Sequence, residues 1–366
     1  MRITFVLPPV GMSGGIRVIA MHAAVLAARG HLVTVVHPPS QQPSFKHRLR
    51  RFLQGDGLIR HPRMYPSHLD GLALDRKVLD VYRPVMAVDV PDADVIIATW
   101  WETAEWVNAL PPEKGTKVYF LQGLETLEGQ PADRVKQTWS FPMHKIVVSE
   151  WLAGIARETY GDADVSIVPN SVDLSLFHAP PRGKQIVGTV GFMYTFLPYK
   201  GCDTIAEGVA LARMAIPELK VVAFGVADPD PNVPLPPGTA YEKSPPQERI
   251  PAIYSSCDAW LSATRFEGFG LPILEAMACR TPVIATCAGA APQLLADGRG
   301  ILIEQENAEA MAEAIIRVCR MPDAEWRELS ERAHEKAASY TWDDAADLFE
   351  KALAHAVSAP HKASPL

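Results

Sequence analysis

Short apolar runs alternate with helix-length segments along this chain, and the alternation occurs in two series. The first series opens with an apolar run at 2–7, a loop containing Gly14 and Gly15, a helix-length segment at 16–28 and a second apolar run at 32–36. A strand, a helix and a second strand in this order form a βαβ unit, which implies a parallel sheet. Further strands are predicted at 94–99, 117–122, 145–149 and 165–169, further helices at 102–110 and 150–160, and an irregular stretch at 38–83.

The second series predicts strands at 186–190, 219–225, 259–263 and 282–285, and helices at 203–214, 247–256 and 272–278. Between the two series lies the segment 179–184, Ala-Pro-Pro-Arg-Gly-Lys, whose composition is typical of a linker. We therefore predict an α/β protein with two doubly wound, Rossmann-like domains whose parallel sheets face a central cleft. The first domain covers 1–178 and the second 185–341. Ligands of such sheets lie at the carboxyl ends of the strands.

Composition excludes several classes of protein. Of the 366 residues, 48% are hydrophobic and 21% are charged, which is enough apolar surface to exclude a disordered chain. The net charge of −7 gives no general attraction to nucleic acid, and we expect no such partner. The five cysteines form no C-x-x-C pair, so we expect buried thiols rather than disulfides or a zinc site. With no leader or spanning segment recognised, a cytoplasmic location is expected.

The most informative segment is Glu267-Gly-Phe-Gly-Leu-Pro-Ile-Leu-Glu275. Its two glycines allow the backbone to approach a ligand closely, and Pro272 suits the first turn of a helix. The amides at such a helix start, together with the helix dipole, favour an anion. We expect Glu275 in the first turn and Glu267 in the preceding loop. Two carboxylates beside a phosphate site suggest a nucleotide sugar, with the phosphate on the amides and the hydroxyls on the acids.

The segment 266–288, FEGFGLPILEAMACRTPVIATCA, resembles the signature of retaining glycosyltransferases of family 4 (group 1), which have the GT-B fold. The two glutamates match the acid-x-seven-acid motif of that family. The resemblance extends over nearly the whole chain through Gly14-Gly15, the segment 168–173, Tyr199-Lys200-Gly201 and Tyr340-Thr341-Trp342. It implies a final helix at about 342–357 that packs on the first domain.

The same resemblance implies roles for individual residues. Glu267 and the amides of Phe269, Gly270 and Leu271 would hold the donor sugar and phosphate, Glu275 the ribose hydroxyls, and Lys200 the diphosphate. A fixed cation such as Lys200 also suits the leaving diphosphate on chemical grounds, because the negative charge there grows in the transition state. We predict Glu267 and Lys200 as the catalytic residues.

Two departures from the family pattern are visible. The family commonly has an arginine after the glycine that corresponds to Gly191, where this chain has Phe192; Arg17 or Arg265 could replace that cation. Many members have a histidine where this chain has Gln122, which can bind a sugar but is not a general base. In the front-face retaining mechanism the leaving phosphate accepts the acceptor proton. We accordingly expect no metal and no cofactor beyond the donor substrate.

The acceptor side is predicted in the first series. In the resembling family the loop at Gly14 and Gly15 borders the cleft and touches donor phosphate or acceptor, so these two glycines are predicted as donor-binding residues. Trp101, with Trp100 and Trp106, either lines a sugar-binding wall or belongs to the core. The segment 45–53 has an apolar face and a basic face, so it either rests on an anionic membrane or packs on its own domain.

Together these features predict a metal-independent, hexosyltransferase-type enzyme. It would move a sugar from a nucleotide-diphosphate sugar to a hydroxyl of a glycan, lipid-linked or small-molecule acceptor, in bacterial-type polysaccharide or glycoconjugate synthesis. The alternatives are a non-catalytic nucleotide-sugar-binding protein, motivated by the absent arginine and histidine, and a GT-B epimerase or phosphorylase.

Overall fold

The computed structural model describes residues 1–41, 64–126 and 129–358. The chain divides into two compact units. The first unit contains Met1–Val147, Ala153–Val168 and Ala346–Leu366, and the second contains Val148–Leu152 and Pro169–Ala345. The segment 45–53, for which membrane contact is one of two predictions, lies outside the described residues. Within the described part of the chain, no helix combines the length and the apolar character needed to cross a bilayer.

The first unit is built on a parallel sheet of seven strands in the order β3-β2-β1-β4-β5-β6-β7. The strands are β1 (Arg2–Val6), β2 (Leu32–His37), β3 (Asp75–Val78), β4 (Val95–Ala98), β5 (Thr116–Leu121), β6 (His144–Val147) and β7 (Val165–Ile167). The central strands are continuous apolar runs because helices cover parallel sheets on both faces. Its described helices are α1 (Gly14–Ala28), α2 (Trp101–Asn108), α3 (Ala132–Thr138), α4 (Glu150–Tyr160) and α11 (Trp342–Ser358).

The C-terminal helix α11 supplies part of the core of the first unit. Phe349 stacks on His22 at 4.5 Å between ring centroids and on Phe5 at 6.2 Å, and it meets Phe120 edge-on at 5.1 Å. Arg29 forms ion pairs with Asp347 and Glu350 at the rim of this contact. The last helix of the chain therefore completes the first unit.

The second unit repeats the same architecture with six parallel strands in the order β10-β9-β8-β11-β12-β13. The strands are β8 (Thr189–Met193), β9 (Lys220–Gly225), β10 (Ala240–Lys243), β11 (Ala259–Ser262), β12 (Val283–Thr286) and β13 (Ile301–Ile303). The helices are α5 (Cys202–Ala215), α6 (Ile250–Ser255), α7 (Leu271–Ala278), α8 (Ala291–Leu295), α9 (Ala308–Arg320) and α10 (Asp323–Ala338). The predicted fold class, α/β with two Rossmann-like parallel sheets, is confirmed. The cleft between them stays a prediction.

Among the differences from the sequence-based prediction, two concern the segments 75–78 and 169–178. β3 lies within the stretch predicted to be irregular, and it pairs with β2 as an edge strand with a polar sequence. Residues 169–178, which the sequence places in the first domain, group with the second unit. There Phe177 is buried against Tyr254, and the Ser171 hydroxyl donates to the Tyr340 carbonyl at 2.6 Å.

The predicted linker at 179–184 has no helix or strand, but its charged side chains attach it to the second unit. The guanidinium of Arg182 lies over the ring of Trp326 at 4.5 Å, and Lys184 donates to the carbonyls of Cys319 and Met321 at 2.6 Å. All five cysteines are free thiols. Cys202, Cys257 and Cys279 are buried as expected, whereas Cys319 is half-buried and Cys287 is exposed.

The buried imidazole of His22 makes the first unit sensitive to acid. Burial lowers the pKa of His22 from 6.5 to about 3, so the folded state keeps it neutral while the unfolded chain takes up a proton below pH 6.5. Its contribution to stability is therefore complete above pH 6.5 and falls as the pH drops toward 3, by up to ~1.4 kcal/mol per pH unit. In chemical denaturation at pH 7 to 4, H22L should lose less stability than the wild type. Equal slopes for H22L, the wild type and the exposed-site control H178L would contradict this.

Candidate functional site

The order of the strands reverses in the middle of the second sheet. β8 and β11 are neighbours, with Val190 opposite Ala259 and Phe192 opposite Leu261, and the chain moves outward from them in opposite directions. The connections after two such strands leave the sheet on opposite sides, so a crevice opens at their carboxyl ends. A pocket occurs at this place. It is lined by Met193, Lys200, Ile205, Trp260, Leu261, Ser262, Thr264, Glu267, Gly270 and Pro272.

Both predicted catalytic residues lie in this pocket and contact each other. Lys200 Nζ donates to Glu267 Oε2 at 2.6 Å, with side-chain exposures of 18% and 21%. Burial alone would lower the pKa of Lys200, but the neighbouring Glu267 carboxylate outweighs it and the pKa is raised. Lys200 also lies 5.4 Å from the centre of the Tyr199 ring. The Glu267 carboxylate thus favours the charged form of Lys200 in the pocket.

The loop that carries Lys200 is fixed by a close backbone approach. Pro198–Lys200 form a short 3-10 turn that ends at Gly201, whose φ is +67°. A Cβ atom on Gly201 would lie 2.0 Å from the carbonyl oxygen of Ala263, which closes the position to any side chain. The Arg265 amide donates to the Tyr199 carbonyl at 2.8 Å and joins the two loops of the pocket.

The segment at Glu267 is held by a similar device. Gly270 precedes α7 with a φ of +99°, and Pro272 lies in the first turn as predicted. The Ala290 amide donates to the Phe269 carbonyl at 3.0 Å. A Cβ atom on Gly289 (φ +56°) would come within 2.9 Å of the Glu267 carbonyl oxygen. Gly289 therefore supports the Glu267 loop, a role that the sequence analysis missed although the glycine follows the motif closely.

The amides predicted to bind phosphate belong to this same helix start. Gly270 lines the pocket, and Leu271 is the first residue of α7. The amides of the first turn have no acceptor within a helix and lie at the positive end of its dipole. The backbone amides of Phe269, Gly270 and Leu271 therefore stay candidates for binding an anion.

Glu275 lies deeper than predicted. It follows the first turn of α7, is 5% exposed and does not line the pocket. Its Oε2 accepts a hydrogen bond from the Tyr254 hydroxyl at 2.8 Å. The prediction that Glu275 lies in the first turn is wrong by one residue, because the helix begins at Leu271, one residue before the predicted start, and Glu275 is its fifth residue.

The two arginines proposed as replacement cations differ in their surroundings. The Arg265 guanidinium pairs with Asp203 at 2.8 Å and Glu306 at 2.7 Å, and it also donates to the Pro198 carbonyl. These contacts hold Arg265 as a structural cation between loops, outside the lining of the pocket. Arg17 lies near the start of α1 in the first unit and is half-buried.

In the first unit the order of strands reverses between β1 and β4, and predicted residues gather nearby. Gly14 and Gly15 open α1, with Ser13 as its N-cap. The Gln122 side chain, directly after β5, donates to the Gly15 carbonyl at 3.1 Å. The structure thus brings Gly15 and Gln122 together.

Trp101 belongs to the core rather than to an open wall. It is 4% exposed, its indole N–H donates to Gln130 at 3.0 Å, and the Arg134 guanidinium covers its ring at 4.8 Å. Of the two readings left open by the sequence, the structure supports the core.

The loop after Gln122 contains an acid that the sequence analysis missed. Glu125 is 4% exposed, has a φ of +62° and accepts a hydrogen bond from the Tyr119 hydroxyl at 2.8 Å. Burial is the main reason that its pKa is raised from 4.5 to about 8. A carboxyl in a loop has no periodic signal that would reveal its burial.

The second unit is similar in sequence to known proteins. Residues 181–340 match the family "Glycosyl transferases group 1". The chain is 30% identical over 100 residues to the O-antigen chain mannosyltransferase B of Escherichia coli, covering 27% of this chain and 26% of that protein. It is 28% identical over 209 residues to the D-inositol 3-phosphate glycosyltransferase of Mycobacterium leprae, covering 50% of this chain and 47% of that protein.

Among solved structures, Anabaena HepE in complex with UDP and glucose superposes with a TM-score of 0.73 at 17% identity. The match covers 97% of this chain and 99% of that one. At this identity the likeness shows the shared fold, which is GT-B with two parallel sheets. The chain spans only about a quarter to a half of the two curated relatives named above.

The close approach at Gly201 generates a testable prediction for the second unit. G201A places a methyl group against the Ala263 carbonyl and should destabilise the protein by at least ~2 kcal/mol. Its matched control is G238A, because Gly238 also has a positive φ (+72°) but has no atom within 4 Å of the new Cβ. Equal losses for both variants in urea denaturation would show that φ alone, not the contact with Ala263, requires glycine.

A second prediction concerns Glu125. Because its folded pKa of about 8 exceeds the ordinary value of 4.5, the folded state retains a proton that the unfolded chain releases. This contribution to stability is complete below pH 4.5 and falls as the pH rises toward 8, by up to ~1.4 kcal/mol per unit. In denaturation experiments at pH 5 to 8, E125Q should show a smaller loss than the wild type. If the stabilities of E125Q and the wild type fell equally with rising pH, the raised pKa of Glu125 would be contradicted. Y119F, which keeps the carboxyl, serves as the control.

Proposed function

We propose that this protein is a retaining glycosyltransferase whose donor is a nucleotide-diphosphate sugar. The observation that carries the proposal is the Lys200–Glu267 ion pair, 2.6 Å long, in the pocket at the strand reversal of the second unit. A charged lysine beside the positive end of α7 makes one side of this pocket suitable for a diphosphate. The adjacent carboxylate makes the other side suitable for sugar hydroxyls.

Donor binding would exchange partners within the pocket. The diphosphate oxygens would take the Lys200 ammonium and the amides of Phe269, Gly270 and Leu271, and Glu267 would accept hydrogen bonds from hydroxyls of the sugar. Before binding, Glu267 keeps Lys200 oriented and charged, as the raised pKa of Lys200 indicates. The family resemblance implies that Glu275 would receive the ribose hydroxyls; in this structure its carboxylate is held by the Tyr254 hydroxyl and lies behind the pocket lining.

The transfer step needs charge stabilisation more than a protein base. The bond between the anomeric carbon and the diphosphate oxygen breaks, and the acceptor oxygen forms its bond to the same face of that carbon. The acceptor hydroxyl gives its proton to the leaving diphosphate. Lys200 acts on the growing negative charge of that leaving group, where a fixed cation lowers the barrier most. No metal is required by this sequence of events.

The acceptor would bind through the first unit. Gln122 and the loop at Gly14 and Gly15 follow strands near the reversal of the first sheet, where ligands of such sheets bind. The names of the two curated relatives, a mannosyltransferase of O-antigen chains and a D-inositol 3-phosphate glycosyltransferase, support a sugar or polyol hydroxyl as acceptor. Bacterial-type polysaccharide or glycoconjugate synthesis is the corresponding process. Trp101 would not contact the acceptor, because its indole is buried.

The first test uses nucleotides without an acceptor. UDP, GDP, ADP and dTDP, and their glucose conjugates, should be screened by thermal unfolding, since a ligand at 100 times its Kd stabilises by ~2.7 kcal/mol. One nucleotide family should raise the melting temperature, and the rise should be the same in protein freed of metal by EDTA. No rise with any of them would contradict the donor site.

Variants then separate the roles within the site. K200A should lower the rate of sugar transfer, or of donor hydrolysis, by ~100-fold while changing nucleotide affinity less. K243A is the matched control, because Lys243 forms an ion pair of equal length, 2.6 Å, with Asp228 on the exposed surface. E275A should weaken nucleotide binding. Unchanged rates in K200A would place the site elsewhere.

The same measurements distinguish the alternatives. Turnover of the nucleotide sugar into an epimer, or phosphate-dependent cleavage without an acceptor, would indicate an epimerase or phosphorylase. Nucleotide binding without any turnover, across a panel of glycan and lipid-linked acceptors, would indicate a non-catalytic binding protein.

A further inference from the structure

Three side chains of metal-ligand type meet in the first unit. His144 begins β6, Asp164 directly precedes β7, and His355 lies in the last turn of α11. One oxygen of Asp164 is 2.7 Å from His355 Nε2, and the other is 3.6 Å from His144 Nδ1. One ligand atom from each of the three lies within 4.8 Å of the other two. Two neighbouring strands and the C-terminal helix thus present nitrogen and oxygen donors to one point.

A neighbouring hydroxyl is compatible with the tautomer of His144 that a metal requires. Ser166 Oγ lies 2.8 Å from His144 Nε2 and can accept the proton of that nitrogen. With Nε2 protonated, Nδ1 presents its lone pair toward Asp164. A metal-binding histidine usually donates its other ring N–H to a neighbouring oxygen in the same way, which fixes its tautomer and orientation.

The separations suit a small tetrahedral ion. Two bonds of about 2.1 Å that meet at a tetrahedral angle separate their donor atoms by about 3.4 Å. The 3.6 Å between Asp164 and His144 is close to that value and is too long for a hydrogen bond. The 2.7 Å between Asp164 and His355 must open slightly, and the His355 side chain is 51% exposed and has room to rotate.

The surrounding charges also favour a cation at this point. The neighbouring Asp162 forms an ion pair with Lys145 at 2.7 Å, so this buried lysine is compensated by an acid other than Asp164. The carboxyl end of a helix carries a partial negative charge, and the last turn of α11 provides His355 there. Asp164 and His355 are partly open to solvent, which gives an ion a route of entry.

We propose that His144, Asp164 and His355 form a binding site for Zn²⁺ or a similar divalent transition metal. Two imidazoles and one carboxylate leave one position for water, and this donor set disfavours Mg²⁺ and Ca²⁺, which prefer oxygen alone. The ion would fasten the end of α11 to β6 and β7. Its role is structural, so the site does not depend on the proposed transferase activity.

Binding of Zn²⁺ to the full-length, untagged protein tests the proposal. A C287S background removes the exposed thiol as a competing ligand. After removal of metal by chelation, calorimetry should show one Zn²⁺ per chain, and the ion should raise the melting temperature by about 3 °C or more. Co²⁺ in its place should give the strong visible absorption of a tetrahedral site. Absence of binding at micromolar Zn²⁺, or binding without a change in melting temperature, would overturn the proposal.

Variants assign the binding to these residues. H355A should fold normally, because the side chain is half exposed, yet bind Zn²⁺ at least ~10-fold more weakly and lose the thermal shift. D164N gives an independent second variant with the same expectation. H178A removes an exposed histidine of the other unit and should behave as the parent protein. Parent-like Zn²⁺ affinity in both H355A and D164N would contradict the assignment.

Discussion

The reversal of strand order between β8 and β11 is the constraint on which the candidate site depends. From these two neighbouring strands the chain adds further strands in opposite directions. The connections therefore leave on opposite sides of the sheet, and a crevice stays open at the carboxyl ends of the two strands. The loop with Lys200 leaves one of these strands and the loop with Glu267 leaves the other. Opposite charges from distant parts of the chain therefore meet at 2.6 Å without any local sequence relation between them.

Backbone contacts, rather than side-chain packing, set the positions of these two loops. Gly201 abuts the Ala263 carbonyl, and Gly289 abuts the Glu267 carbonyl. Each contact excludes a Cβ atom, so each loop has one backbone path past its neighbour. This explains why a lysine on a short turn has a defined partner, where a lysine on an ordinary loop would sample solvent. The rigidity of the site is thus a property of the glycines that flank the charged residues.

The sequence predicts the elements that depend on a local residue pattern, but it does not predict features that depend on contacts between distant residues. Interior strands such as β4 and β12 were predicted within two residues because both of their faces are apolar. The edge strands β3 and β10 were not predicted, since the charged residues that protect an edge also remove the strand signal. The edge strand β13 was also missed, because its run of three apolar residues is too short to indicate a strand. The motifs predicted that Lys200 and Glu267 both belong to the donor site. The sequence could not show that two acidic side chains form ion pairs with Arg265, because only the fold brings them together.

The role of α11 bears on how the first unit can form. Its core contains Phe5 and Phe349, which stack at 6.2 Å although nearly the whole chain separates them. This contact can form only after the second unit has been synthesised. Until then, part of the apolar face of the first sheet is not covered by a helix. Contacts at the end of α11, such as that between His355 and Asp164, then hold the returning helix at a second point. Two separate attachments along one helix restrict its rotation as well as its distance from the sheet, which a single contact cannot do.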